Sequence, residues 1–275
     1  MTQQIMDKFD MHGRAVIVTG GAGLLGKQFS LALAQAGAMV MVADLAAQAA
    51  RDQARLLCDQ NLVAQAVEVD VTNPASTADM VSETVRAFGR LDVLINSAAL
   101  DPKFDPQHAG SQAANAFESY ALDAWRQALD VNLTGMFLAS QAAVKPMLAQ
   151  GQGAIVNICS TYGLNGPDQR IYRRPDGSQS FKPVYYSVTK AGVLGFTRYL
   201  AAYYAGQNIR VNALTPGGVF NGHDEVFSEA YSAKTILGRM ARVDEMSAAM
   251  LFLASDASSY MTGSNLVVDG GWTAW

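Results

Sequence analysis

Tyr186 and Lys190 stand four residues apart in Tyr-Ser-Val-Thr-Lys, a spacing that puts both side chains on one face of a helix. Tyrosine alone is a poor acid or base at neutral pH, because its hydroxyl ordinarily titrates near pH ~10. A neighbouring ammonium favours the phenolate, so such a pair can give and take a proton closer to neutrality. The same spacing also describes an ordinary surface pair, and its meaning depends on what the rest of the chain brings to it. Tyr185 is adjacent, but only Tyr186 has the four-residue offset from Lys190.

A second chemical signal lies near the N-terminus, in Thr19-Gly20-Gly21-Ala22-Gly23-Leu24-Leu25-Gly26. It follows a β-branched run and precedes a stretch with helical spacing. Glycines in that context let the backbone turn tightly and approach a pyrophosphate resting on a helix N-terminus, which points to a bound dinucleotide. The next apolar run ends in Asp44. An acid about 20 residues past the glycines can accept hydrogen bonds from the adenosine ribose, and its charge repels a 2′-phosphate. No basic residue follows until Arg51, so NAD is expected rather than NADP. Asp44 could also cap the following helix. Asp70 could accept from the adenine amino group, or equally cap the turn into Asn73-Pro74.

The elements that must position these residues alternate. Short apolar runs fall at Ala15–Thr19, Met39–Ala43, Val63–Val69, Leu91–Asn96, Ala154–Cys159, Ile209–Leu214 and Asn265–Val268. Stretches with helical spacing include Leu24–Ala36, Ala46–Gln60, Pro74–Phe88, Leu122–Ala149, Val184–Ala205 and Asp244–Ala254. Continuous rather than alternating apolar runs read as strands buried on both faces. Strand and helix in alternation give an α/β fold, a parallel sheet with helices on both sides. Without a linker or composition shift, residues 1–275 read as one domain. Leu100–Ala121 and Leu164–Pro183 break the rhythm. They are rich in Pro, Gly, Asp, Gln and Ser, and are too long for ordinary connections. Both follow strands, so both should border the crevice at the strands' carboxyl ends.

Half of the residues are hydrophobic and 16% are charged, with a net charge of −4. That balance excludes a disordered chain and, with no basic run, argues against nucleic acid as partner. Two cysteines, Cys58 and Cys159, cannot build a disulfide framework and suit a reducing compartment. Neither a signal peptide nor an apolar run of the roughly 18 residues that span a membrane is present, and a cytoplasmic protein is expected. His12, His108 and His223 lack metal-ligand spacing, so no metal is expected.

Taken together, Thr19–Gly26, Asp70-Val71-Thr72, Asn96-Ser97-Ala98-Ala99, Val131-Asn132-Leu133, Ser160, Tyr186–Lys190, Pro216-Gly217 and Val268-Asp269-Gly270-Gly271 resemble the short-chain dehydrogenase/reductase family over essentially the whole chain. The resemblance implies a Rossmann-type, doubly wound, seven-stranded parallel sheet in three αβα layers, a nicotinamide cofactor and a small-molecule substrate. It implies a catalytic set of Asn132, Ser160, Tyr186 and Lys190. In this set Tyr186 is the general acid/base, and Lys190 lowers its pKa and holds the nicotinamide ribose. Ser160 binds the substrate oxygen and Asn132 positions a water that relays the proton. The bland alternatives are that Ser160 caps a strand end and Asn132 holds a helix kink. The implied cofactor contacts are Gly20, Gly23, Leu25, Gly26, Asp44, Asp70, Val71, Asn96, Tyr186, Lys190, Pro216, Gly217 and Val219. Asn96 would line the cofactor cleft, and Val219 would offer its backbone to the carboxamide. The resemblance also implies a homodimer or homotetramer packed through Leu122–Ala149 and Val184–Ala205.

The chain departs from the family in places. Leu24 stands where a glycine is usual, giving a pattern similar to that of the nucleotide-sugar epimerases and dehydratases; their further substrate domain is not expected here, and the single-domain type is. Asn221 stands near a usual threonine. Ser160 and Tyr186 are 26 residues apart and Asn96 and Asn132 are 36 apart, both longer than usual. The additions fall in the crevice-bordering loops, where substrate choice should be encoded. Substrate loops are therefore expected at about 100–121, 164–183 and 220–235. Arg170, Arg173, Arg174 and Lys182 against Asp168 and Asp176 suggest an anionic substrate, or equally a solvated loop or subunit contact. Two indoles, Trp272 and Trp275, are expected against another subunit or over the active site. The expected function is NAD(H)-dependent interconversion of a secondary alcohol and a ketone on a polar, carbohydrate-like substrate. The general shape resembles enzymes of surface-polysaccharide and flagellin-sugar biosynthesis. The alternatives are a 3-oxoacyl thioester reductase, epimerase or dehydratase chemistry with retained cofactor, and a non-catalytic dinucleotide-binding scaffold.

Overall fold

The computed structural model describes residues 4–101 and 115–275. Most of the expected loop at 102–114, with His108, lies outside the described residues.

Seven strands form one parallel sheet: β1 (Ala15–Thr19), β2 (Met39–Asp44), β3 (Ala64–Glu68), β4 (Val93–Asn96), β5 (Gly153–Ile158), β6 (Ile209–Pro216) and β7 (Asn265–Val268). Their order is β3-β2-β1-β4-β5-β6-β7. The order reverses direction between β1 and β4, and a crevice opens there at the strands' carboxyl ends. Register brings those ends level, with Thr19 opposite Asn96 and Asn96 opposite Asn157.

The unbroken apolar runs of the central strands are explained by cover on both faces, whereas the edge strands β3 and β7 are only partly buried. Val16 and Val18 of β1 join a core with Phe29 and Leu33 of helix α1 (Leu24–Gln35), Ala50 and Leu57 of α2 (Ala47–Cys58), and Met250 and Leu253 of α8 (Ser247–Ala254). Ile17, between them, points the other way, to Met80 of α3 (Pro74–Phe88) and Ala143 and Met147 of α5 (Gly135–Gln150). Full burial of each large aliphatic or aromatic side chain is worth about 1.5–3 kcal/mol, so this two-sided core fixes the strand ends that carry the site. α3 starts where Asn73 accepts from the amides of Ala75 and Ser76 ahead of Pro74, a local N-cap.

The stretch Leu122–Ala149, expected as one helix, is broken. α4 (Leu122–Leu129) passes through a π-helical turn at Asp130–Thr134 into α5. The following long helix, α6, spans Val184–Tyr203. A further helix, α7 (Glu225–Ser232), capped by Asp224 on the Phe227 amide, occupies much of the stretch expected as loop 220–235. Among the described residues no helix is long and apolar enough to cross a membrane.

Candidate active site

The glycine turn is held in a conformation that side chains would spoil. Gly20 has φ +64°, and a Cβ there would lie 2.9 Å from the Ala98 backbone. A Cβ on Gly26 would lie 2.1 Å from the Gly20 carbonyl oxygen, so only glycine lets α1 start against the turn. Asp44 closes this corner from β2. One carboxylate oxygen accepts from the Ala22 amide and the other from the Ala46 amide, each at 3.0 Å. Asp44 thus braces the turn as well as facing the cleft.

The cleft has a volume of about 990 Å³, at the upper end of the roughly 300–1,000 Å³ of cofactor and small-molecule sites. One end carries Gly20, Gly23, Leu25, Gly26, Asp44, Asp70 and Val71; the other carries Ser160, Tyr186, Lys190, Pro216, Gly217 and Val219. The turn, the N-terminus of α1 and the acid at Asp44 together fit a dinucleotide, with the pyrophosphate over the glycines. Asp70 Oδ1 is engaged by the amide and hydroxyl of Thr72, which makes it the brace of the turn, while the helix cap is Asn73. A parallel bridge to Ala241 uses the Gly218 carbonyl and the Phe220 amide, leaving the backbone groups of Val219 outside it.

Asn96 departs from expectation. Its Nδ2 donates to Ser140 Oγ at 3.0 Å and to Asn157 Oδ1 at 2.8 Å, and Asn157 donates in turn to Thr197 at 3.0 Å. This buried polar chain turns the Asn96 side chain into the protein, and Ser97–Leu100 form the cleft wall instead.

At the substrate end, Ser160 follows β5. Its hydroxyl accepts from the Tyr162 amide at 3.2 Å and lies near enough to the Tyr186 hydroxyl to favour its ionised form. It is therefore both the cap of a short turn and a partner of the tyrosine. Lys190, buried one helical turn beyond Tyr186, donates to the Ile158 carbonyl at 2.9 Å, and its Nζ lies 5.7 Å from the Tyr186 ring centroid. Asn132, 2% exposed in the π-turn, brackets Leu100 and donates to Thr189 Oγ1 at 3.1 Å. Thr189 donates in turn to the Tyr186 carbonyl.

The titration of Tyr186 runs against the sequence-based expectation. Burial, with Asp101 nearby, pushes its hydroxyl well above the ordinary value, and the Ser160 hydrogen bond offsets only part of that. Lys190 does not reverse this, because burial lowers its own pKa and its ammonium is committed to a carbonyl.

Sequence reasoning ranked Lys190 as the cation at Tyr186; the structure adds a second. Lys182 Nζ lies 3.9 Å from the Tyr186 ring centroid, over its face, and is paired with Asp101 at 2.6 Å. Lys182 lies outside α6, which begins at Val184 after Pro183, so the helical offset that singles out Lys190 gave no signal for it. The other basic residues of the 164–183 loop face elsewhere. Arg170 pairs with Asp168, and Arg174 makes a bidentate pair with Asp224 at 2.5 and 3.0 Å. His223, stacked on Phe227 at 5.1 Å, also reaches the cleft, with its pKa lowered by burial. Of the two tail indoles, Trp272 is buried in an aromatic cluster beside the site, stacked on Tyr231 at 4.2 Å and edge-on to Tyr162. Trp275 is exposed and donates to the Lys234 carbonyl. Among the described residues no cluster of His, Cys, Asp or Glu could hold a metal.

Comparison with known proteins agrees with this geometry. A family model described as enoyl-(acyl carrier protein) reductase matches residues 21–273. A cis-4-hydroxycyclohexanecarboxylate dehydrogenase of Sinomonas cyclohexanicum is 37% identical over 265 residues, covering 95% of this chain and 97% of that protein. A galactitol 2-dehydrogenase (L-tagatose-forming) of Cereibacter sphaeroides is 35% identical over 274 residues, covering 97% and 98%. Among solved structures, a short-chain type dehydrogenase/reductase from Mycobacterium marinum superposes with TM-score 0.85 at 31% identity, covering 99% of this chain and 100% of that one. A gluconate 5-dehydrogenase from Burkholderia cenocepacia, in complex with NADP and tartrate, gives 0.84 at 29%, with the same coverage. Glycine turn, switch-point cleft and the Ser160–Tyr186–Lys190 cluster thus sit in a chain that belongs to the short-chain dehydrogenase/reductase family, oxidoreductases that use a nicotinamide dinucleotide on CH–OH groups.

Proposed function

We propose that this protein is an NAD(H)-dependent dehydrogenase that interconverts a secondary alcohol and a ketone on a polar, carbohydrate-like substrate. The observation that carries the reading is the convergence of Ser160, Tyr186 and Lys190 on the same cleft as the glycine turn, with Lys190 one helical turn beyond Tyr186. A bound nicotinamide would accept or supply the hydride. The protein's part is the proton and the orientation. Tyr186 Oη takes the alcohol proton in oxidation and returns it in reduction. Ser160 Oγ donates to the substrate oxygen where charge develops. In this reading Lys190 holds the nicotinamide ribose. Asn132 shapes the π-turn behind Tyr186, and a water relay at that turn is part of the same reading.

For the cofactor, Asp44 favours NAD. It is fixed by two backbone amides at the ribose end, and the next basic residue, Arg51, is bonded to Gln48. The gluconate 5-dehydrogenase carries NADP, so the preference for NAD is read from this chain's own residues. Residues 1–275 are read as one dinucleotide-binding and catalytic domain, with substrate segments at 100–121, 164–183 and 220–235, the last carrying α7. The free thiols Cys58 and Cys159 favour the cytoplasm. The stacked, exposed pair Tyr199 and Tyr203 on α6 favours a homodimer or homotetramer, and a monomer by light scattering would remove that part.

Tyr186→Phe tests the core of the reading. Turnover with NAD and a polyol or hydroxy-acid panel should be lost while NADH binding is retained. Turnover at the wild-type rate would overturn the role of Tyr186.

A further inference from the structure

The loop residue that faces the tyrosine is a lysine held in place by construction. Gln169 brackets the Lys182 backbone, its Oε1 accepting from the Lys182 amide at 2.9 Å and its Nε2 donating to the Lys182 carbonyl at 3.1 Å. Asn132 brackets Leu100 in the same way, at 2.7 and 3.2 Å. Leu100 is the neighbour of Asp101, the counter-ion of Lys182. Two side-chain amides therefore fix the backbone of Lys182 and of the residue that precedes Asp101.

The two members of that pair differ in environment. The Lys182 side chain is 14% exposed and the Asp101 side chain 55%. An ammonium so covered is poorly served by water and needs a negative partner; a half-exposed carboxylate can return to water at little cost. Exchange of one carboxylate for another keeps the lysine paired. Of the four basic residues in the 164–183 loop, Lys182 is the one that lines the cleft. Among the described residues Lys190 is the other ammonium near the Tyr186 ring, but it is tied to the Ile158 carbonyl.

We propose that Lys182 is a specificity-determining residue that binds a carboxylate of the substrate, with Asp101 as the internal carboxylate it displaces. The inference rests on the reading of Tyr186 as the proton-handling residue and names the substrate class at that site: a hydroxy acid or its oxo counterpart. The ammonium stands over the ring centroid of Tyr186 rather than at its hydroxyl. The carboxylate is therefore carried on a carbon other than the one being oxidised. Tyr172, Phe227 and His223 along the same cleft give the carbon skeleton of such an acid an aromatic wall.

The test uses cyclohexanecarboxylate, which has no hydroxyl to oxidise, and its uncharged amide, titrated calorimetrically into the full-length protein with saturating NAD. The wild type should bind the acid more tightly than the amide. Lys182→Met should weaken the acid by about tenfold, the scale of losing one partly desolvated charge partner, and so remove the difference. Lys182→Arg should retain it, and Asp101→Asn should tighten the acid by freeing the lysine. Equal binding of acid and amide by the wild type, or an equal loss of both in Lys182→Met, overturns the proposal. Because neither ligand reacts, Tyr186→Phe should keep the preference for the acid whatever it does to turnover. Failure of the carboxylate assignment is thereby separated from failure of the catalytic one.

Discussion

Asn132 holds Leu100 by both of its backbone groups: Oδ1 accepts from the amide at 2.7 Å and Nδ2 donates to the carbonyl at 3.2 Å. Its third bond runs to Thr189, which reaches the Tyr186 carbonyl. One side chain in the π-turn thus ties the end of the β4 wall to the helix that carries the tyrosine.

Asn132→Ala leaves the Leu100 amide and carbonyl to find new partners, and each buried polar group left unpaired costs about 1–3 kcal/mol. The variant should lose roughly 2 kcal/mol or more of stability in urea unfolding. Its KM for substrate should rise while NADH affinity, set largely at the glycine turn and Asp44, falls much less. A fall in NADH affinity in step with substrate affinity would contradict the local role of Asn132.

The legibility of this site followed the physics of each signal. Glycine positions report backbone crowding, so Gly20 and Gly26 were readable as a tight turn from residue type alone. Continuous apolar runs report burial on two faces, which holds for the central strands; the edge strands β3 and β7 were found too, but they are only partly buried. The π-turn was not legible, because Leu122–Ala149 keeps helical spacing across it. Asn96 was placed in the cleft by its neighbours, yet the polar residues that claim its side chain, Ser140 and Asn157, lie 44 and 61 positions away. The charges of the 164–183 loop counted as an excess in sequence, but Asp224 and Asp101, distant in the chain, neutralise two of them. Lys190 was expected to lower the pKa of Tyr186; burial, which residue type does not report, pushes it the other way in the ligand-free protein.

The raised Tyr186 hydroxyl has a direct consequence for pH. Free of ligand, the protein keeps this residue as a neutral phenol below pH ~10. The difference in ultraviolet titration between wild type and Tyr186→Phe should show no tyrosinate below that pH. Alcohol oxidation, which needs the ionised form, should quicken as pH rises above neutrality; ketone reduction, which needs the phenol, should not. Tyrosinate absorbance from Tyr186 near neutrality in the ligand-free protein would show that Lys190 or Lys182 outweighs burial.

Asp44 serves two ends, and its replacement should register at both. Asp44→Ala removes acceptors for the ribose and the braces on Ala22 and Ala46. Hydrogen bonds to a charged acceptor are worth about 1.5–3 kcal/mol, so NAD affinity should fall by about tenfold or more. NADP loses the same brace but is relieved of the charge repulsion, so the ratio of NAD to NADP affinity should narrow. An unchanged ratio, with both affinities lowered equally, would reduce Asp44 to a structural brace.

Tyr231 links the glycine-rich end of β6 to the aromatic cluster. Its hydroxyl accepts from the Gly218 amide at 2.5 Å and its ring stacks on Trp272 at 4.2 Å. Burial pushes that hydroxyl up to about 12, against an ordinary value near 10. The folded state therefore holds the proton more tightly than the unfolded chain. Below pH ~10 both states are protonated and the contribution is fully present. As pH rises from about 10 towards 12 the unfolded chain ionises first, and stability is lost. The two-unit difference corresponds to about 3 kcal/mol for this residue. Tyr162 and Tyr172, also raised by burial, steepen the loss. Urea midpoints should be flat between neutrality and pH ~9, then fall steeply, and Tyr231→Phe should flatten part of that fall while lowering stability near neutrality through the lost Gly218 bond. A midpoint that rises with alkaline pH would mean that the hydroxyl ionises more easily in the fold than in water, contrary to its burial against Trp272.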